Sequence, residues 1–233
     1  MNKENHSGNQ SAAVDTGDKF QPSGDRTERG RTGGTAPASN RLQLATAAEK
    51  RALSHRRLLR LITASILIAG CYILSPILRV PGMAPVQHLF NVTGAVLLGP
   101  WYNLVNALIV SGLRMTTMGI TPLAITGSVF GAVLSGLFYR YSGSILTATI
   151  GEIIGTGIIG SMASYPVMTL IAGKTGLNWL FYTPSFIMGT LIGGGTAFVI
   201  LGTLMRTGQL SRFQQKLGTC IRPIGSFKKL PRR

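Results

Sequence analysis

Apolar positions dominate the middle of this chain, from Leu58 to Met205, and beyond Arg60 at its opening only Arg79, Arg114, Arg140, Glu152 and Lys174 put charge into that stretch. Apolar runs of about 20 residues predict helices that cross a bilayer rather than core helices of a water-soluble domain. Proline, glycine and short polar stretches divide the block into Leu58–Leu78, Val86–Gly99, Trp101–Met118, Pro122–Tyr139, Ser144–Ala172 and Trp179–Met205. The second segment would be roughly 21 Å long at 1.5 Å per residue, which is short for a crossing. An alternative fuses it with the third as one helix kinked at Pro100, giving five spans and placing the termini on opposite sides.

Charge at the flanks decides between the counts. Lys50, Arg51, Arg56, Arg57 and Arg60 precede or open the first span, and Arg206, Arg212 and Lys216 follow the last. Basic residues close to span ends mark the cytoplasmic side, so both ends belong inside and the number of spans is even. The expectation is an all-α integral membrane protein, six transmembrane helices in a compact bundle with both termini cytoplasmic. Connections near Arg79–Pro85, Met118–Thr121 and Lys174–Asn178 then face outward, and those at Gly99–Trp101 and Arg140–Gly143 face inward. The first apolar segment carries no cleavage pattern and reads as a retained span.

Three regions follow. Residues 1–57, polar and charged, read as a disordered extension unable to bury enough apolar surface to fold alone. Residues 58–205 form the membrane domain, and 206–233 a basic cytoplasmic tail ending Lys228-Lys229-Leu230-Pro231-Arg232-Arg233. The net charge of +16 would fit nucleic acid, but it sits in the two flanks of an apolar block, which fits anionic lipid headgroups and not nucleic acid. Cys71 and Cys220 suit neither a disulfide framework nor a metal site. No phosphate-binding Gly-x-x-x-x-Gly-Lys-Ser/Thr loop, metal-ligand cluster, nucleophile elbow or catalytic carboxylate pair occurs, so the reading is no enzyme, no cofactor and no metal.

The polar residues inside the apolar block carry the remaining information. Glu152 is the last acidic residue of the chain and falls roughly 13 Å from the inner end of its helix. A charge at such depth costs about 2.5–3.5 kcal/mol on insertion scales and normally faces a bundle interior or a cavity. Thr156 lies one turn on and shares its face. His88 and Asn91 share a face at the outer start of the second span, and a buried amide such as Asn91 needs partners. Arg114, near the outer end of the third span, either snorkels to headgroups or serves as donor or counter-ion for Glu152. Trp179 and Tyr182 open the last span at the outer interface, where aromatic belts are ordinary. Gly127-x-x-x-Gly131, Gly151-x-x-x-Gly155 and Gly189-x-x-x-Gly193 predict close helix approach.

The stretch Pro85-Val-Gln-His88-Leu-Phe-Asn91-Val-Thr-Gly-Ala-Val-Leu-Leu-Gly99-Pro-Trp-Tyr resembles the signature of the ThiW family, as do Gly127-Ser-Val-Phe-Gly-Ala-Val-Leu-Ser-Gly-Leu-Phe-Tyr-Arg140-Tyr and Gly151-Glu152-Ile-Ile-Gly-Thr156-Gly-Ile-Ile-Gly160 followed by Tyr165-Pro166. The resemblance covers about residues 58–205. It implies a substrate-binding S component of an energy-coupling factor (ECF) importer in the bacterial plasma membrane, taking up the hydroxyethyl-thiazole precursor of thiamine. It further implies a transmembrane T component and two ATPase subunits as partners, and an outward pocket under the connections joining the first two, middle two and last two helices. Within that frame the candidate substrate-binding residues are His88, Asn91, Arg114, Glu152, Thr156 and Tyr182. Many S components dock through Ala-x-x-x-Ala on the first helix; here Ser65-x-x-x-Ala69 stands in, with serine in the first place. An S component for thiamine or a pyrimidine precursor, and an autonomous proton-coupled carrier using Glu152, are the alternatives.

Overall fold

A computed structural model describes residues 38–78 and 82–219. The bulk of the expected extension (1–37), Arg79, Cys220 and the terminal basic run lie outside the described residues. Every regular element among those described is helical: α1 (Ala38–Ile77), α2 (Pro85–Leu98), α3 (Pro100–Met118), α4 (Leu123–Ser142), α5 (Ile145–Leu170), α6 (Thr183–Arg206) and the short α7 (Gln209–Leu217). Four stretches are long and apolar enough to cross a bilayer: Glu49–Ile77 within α1, and α4, α5 and α6. Helix α1 starts at Ala38, well before the apolar run opens at Leu58. By contacts the chain divides after Leu42, and of the first unit only residues 38–42, helical, are described.

Gly99 and Pro100 separate α2 from α3. Gly99 adopts φ +85°, a left-handed value that favours glycine, and Pro100 opens the next helix where its missing N–H costs nothing. The chain reverses here rather than kinking. Gln87 bonds Ser111 and the Asn103 side chain bonds the Asn91 carbonyl, so α2 and α3 run antiparallel as a hairpin. The fused-helix alternative is thereby ruled out.

Glycine seams hold the rest of the bundle. A Cβ on Gly151 would sit 2.7 Å from the Leu134 carbonyl oxygen, one on Gly155 2.6 Å from that of Phe130, and one on Gly160 2.8 Å from that of Thr126. Gly127 and Gly131 on α4 therefore lie against Gly160 and Gly155 on an antiparallel α5, and Gly151, the other member of the Gly151-x-x-x-Gly155 pair, meets Leu134 and Ser135 one turn further along. The third pair, Gly189 and Gly193, lets α6 close on Pro85 and His88 of α2. In the middle of α5 the backbone widens to π-helix over Ile153–Gly160, a rare geometry most often found at functional positions.

The two ends of the bundle differ. At one end Arg60, Val96, Tyr139 and α7 converge, above a core of Val92, Val96, Ile145, Ala148, Ala197 and Leu201. Helix α7 was not anticipated in the basic tail. It turns Leu210, Gln214 and Leu217 inward, and Gln214 donates to the Val96 carbonyl (2.9 Å) and the Tyr139 hydroxyl (2.7 Å). Arg60 in turn donates to the carbonyls of Leu217 (2.8 Å) and Gly218 (2.9 Å), capping the C-terminus of α7 with positive charge. At the other end the helices part around a cavity.

Candidate functional site

The cavity measures about 260 Å³, just under the roughly 300–1,000 Å³ of pockets that bury drug-sized ligands. Its walls come from the end of α1 (Ser75, Leu78), the connection into α2 (Gly82–Ala84), the first turn of α2 (Pro85–His88), Arg114 of α3, the α3–α4 connection (Gly119–Thr121), α4 (Leu123, Ala124, Gly127) and the start of α6 (Ser185, Phe186). It thus lies at the end of the bundle where the connections expected to face outward sit. Most of the wall is apolar, with Gln87, His88 and Arg114 as its largest polar members.

Arg114 is 7% exposed and points a guanidinium nitrogen at the Gln87 side-chain oxygen. Gln87 passes the bonding on: its amide donates to the Ser111 hydroxyl at 2.9 Å, and Ser111 meets the Ser128 hydroxyl at 2.9 Å. This string fixes the guanidinium against one wall. Glu152, offered as a counter-ion for Arg114, stands with its Oε1 2.9 Å from His88 Nδ1.

Beneath the cavity floor lies a second polar cluster. Glu152 is 0% exposed, and its Oε1 receives the His88 Nδ1 (2.9 Å), the Asn91 amide (3.0 Å) and the Thr156 hydroxyl (3.1 Å). With a carboxylate as acceptor, Nδ1 is the donating nitrogen of His88. The other side of the imidazole lies against Gly189 and the cavity. Glu152 Oε2 is buried with no hydrogen-bond partner among the described residues, in space left by the missing side chain of Gly131: a Cβ there would stand 2.7 Å from it. Asn91 also reaches the Ser128 carbonyl (3.3 Å), joining the two clusters.

Of the six expected binding residues, His88 and Arg114 line the cavity. Asn91, Glu152 and Thr156 form the layer beneath and hold His88 in place. Tyr182 stands one ring away, 6.2 Å from the cavity-lining Phe186 by ring centroids. Ser65 and Ala69 do not line the cavity and are exposed on α1. Sequence reading passed over Gln87, Asn103 and Ser111. A signal was present: Asn103, Ser111 and Arg114 recur at helical spacing on one face of α3, and Gln87 adjoins His88.

Residues 61–207 match the family model of ThiW, a thiamine-precursor transporter protein. No curated protein and no solved structure matches the chain.

Proposed function

The chain belongs to the ThiW family of thiamine-precursor transporters, on a match spanning residues 61–207, and from that premise we infer that it is the S component of an ECF-type importer, binding hydroxyethyl-thiazole from outside the cell. The family and the apolar helices make it a multi-pass membrane protein. The observation that carries the inference is the cavity. Its volume suits a single small heteroaromatic ring with a short side chain, and its walls offer a few directed polar groups on an apolar surface, as recognition of a flat, neutral ring requires. In this reading a donor from Arg114 or Gln87 meets the ring nitrogen, and Glu152 acts through His88 rather than on the ligand.

Six crossings with both termini inside fit the same picture. The α2–α3 hairpin supplies two antiparallel passes, and Arg60 bonds the end of α7, so the approach to the first span and the exit from the last meet at one basic end of the bundle. Helix α1 is the least packed of the long helices and leaves Ile62, Ile66 and Ile73 exposed beside Ser65 and Ala69. That face is the candidate seat of the T component, with two ATPase subunits supplying the energy. A self-sufficient carrier relaying protons through the buried His88–Glu152 pair is the second reading; its signature is uptake in cells lacking the T component and ATPases.

The test is calorimetry on the purified chain in detergent without nucleotide. Hydroxyethyl-thiazole should bind with a measurable heat while thiamine and pyrimidine precursors bind far more weakly. Tight binding of thiamine with none of the thiazole overturns the ligand assignment.

A further inference from the structure

We propose that the cavity sorts ligands by charge, with Arg114 as the specificity-determining residue: it admits a neutral thiazole and turns away a thiazolium, the N-alkylated cation that the same ring becomes in thiamine. The proposal rests on the thiazole reading of the site and deepens it.

Three observations carry it. First, the guanidinium of Arg114 forms part of the cavity wall and is held there through Gln87. Second, no acidic residue lines the cavity among the described residues. The one carboxylate of the membrane domain, Glu152, lies behind the His88 ring at 0% exposure, with Oε1 occupied by His88, Asn91 and Thr156. Every other acidic residue of the chain falls at or before Glu49. A cation entering the cavity therefore meets a fixed positive charge on the wall and, among the described residues, no carboxylate lining it. Third, the remaining polar wall groups, Gln87 and His88 chief among them, are built to exchange hydrogen bonds rather than to neutralise a cation.

The two ring forms differ in the property this wall reads. A neutral thiazole nitrogen keeps its lone pair and accepts from an N–H donor. Alkylation removes the lone pair and leaves a positive charge, so the donor loses its acceptor and two like charges face each other. In a confined, poorly hydrated site that repulsion is far less screened than in water. Size offers weaker discrimination, because a pocket shaped for the ring also fits the ring end of the larger vitamin. Selectivity among ligands that share a ring is obtained by repulsion built against the wrong one.

The experiment compares three ligands on the purified full chain: hydroxyethyl-thiazole, its N-methyl thiazolium, and a neutral thiazole with the same added methyl on the ring carbon beside nitrogen. The neutral parent should bind at least about tenfold tighter than the cation, and the carbon-methylated control should stay within about threefold of the parent. Arg114→Gln keeps an N–H donor but removes the charge, and should raise affinity for the cation at least about fivefold, while Arg114→Lys retains the exclusion. A wild-type cation affinity within about twofold of the neutral parent overturns the proposal without needing any variant. So does a carbon-methylated control rejected as strongly as the cation, or identical ratios in Arg114→Gln and Arg114→Lys. If none of the three ligands binds, the thiazole reading itself fails, an outcome distinct from equal binding of neutral and charged forms.

Discussion

Glu152 gathers three donors on one oxygen and leaves the other buried against a glycine, so replacing the carboxylate tests the whole cluster. Glu152→Gln keeps an acceptor but forfeits charge assistance. The expected cost is about 1–3 kcal/mol of stability. The melting temperature should fall with and without ligand, and thiazole affinity should change less than about threefold, because the cavity wall is untouched. Lost affinity at an unchanged melting temperature would instead put the carboxylate within reach of the ligand. The sequence singled out Glu152 by its charge alone, and His88 and Asn91 by their shared face. It did not reveal which donor would meet the carboxylate, because that depends on the rotation of α2 against α5. Arg114 was legible as important and not as to partner: the guanidinium turns to Gln87, a residue unremarkable in the pattern.

Among elements, the α4–α5 seam depends on backbone meeting backbone. Gly155→Ala would press a methyl within 2.6 Å of the Phe130 carbonyl and 2.7 Å of the Gly131 Cα, neither of which can swing aside. Overpacking of this kind should destabilise by about 1–3 kcal/mol. Gly195, on α6, has nothing within 4 Å of an added Cβ, and Gly195→Ala should be neutral or stabilise by up to about 1 kcal/mol from helix propensity. Thermal melting of both variants in the same detergent decides the matter, and equal losses would mean that the seam is not the tight contact described. The four-residue glycine spacing made the close approach readable. The π-helical widening of α5 was not, since it follows from fitting Gly155, Thr156 and Gly157 between α4 and α6 and has no periodic signature. Helix α7 had a signature, Leu210, Gln214 and Leu217 on one face, hidden by the basic residues around it.

At the scale of the whole molecule, the proposed ligand and partner surfaces are separate: the cavity opens at one end of the bundle and the small-residue face of α1 looks outward along its side. Ser65→Leu or Ala69→Leu should therefore abolish ATP-dependent uptake in the assembled importer while leaving thiazole binding intact, measured by transport assay and calorimetry on the same variants. Uptake that survives both substitutions would place the docking face elsewhere. Hydropathy made the helical membrane architecture legible, yet α2 is short of a full crossing at 14 residues and α3 is diluted by Asn103, Asn106, Ser111 and Arg114 on its buried face. The opposite, basic end is closed by α7, the last helix among the described residues. Gln214 satisfies a carbonyl of α2 that lies 118 residues earlier in the chain, and Thr219 another 122 residues earlier. At synthesis rates of about 5–20 residues per second, those carbonyls wait roughly 6–24 s for their donors. Helices α4 to α6 are made during that interval, and when α6 ends at Arg206 the bundle still has an unsealed floor. Sealing that floor thus waits for α7 and Thr219 to emerge, and a chain that stops after Thr207 should insert normally and yet remain, in thermal stability and protease resistance, a bundle with its basic end open.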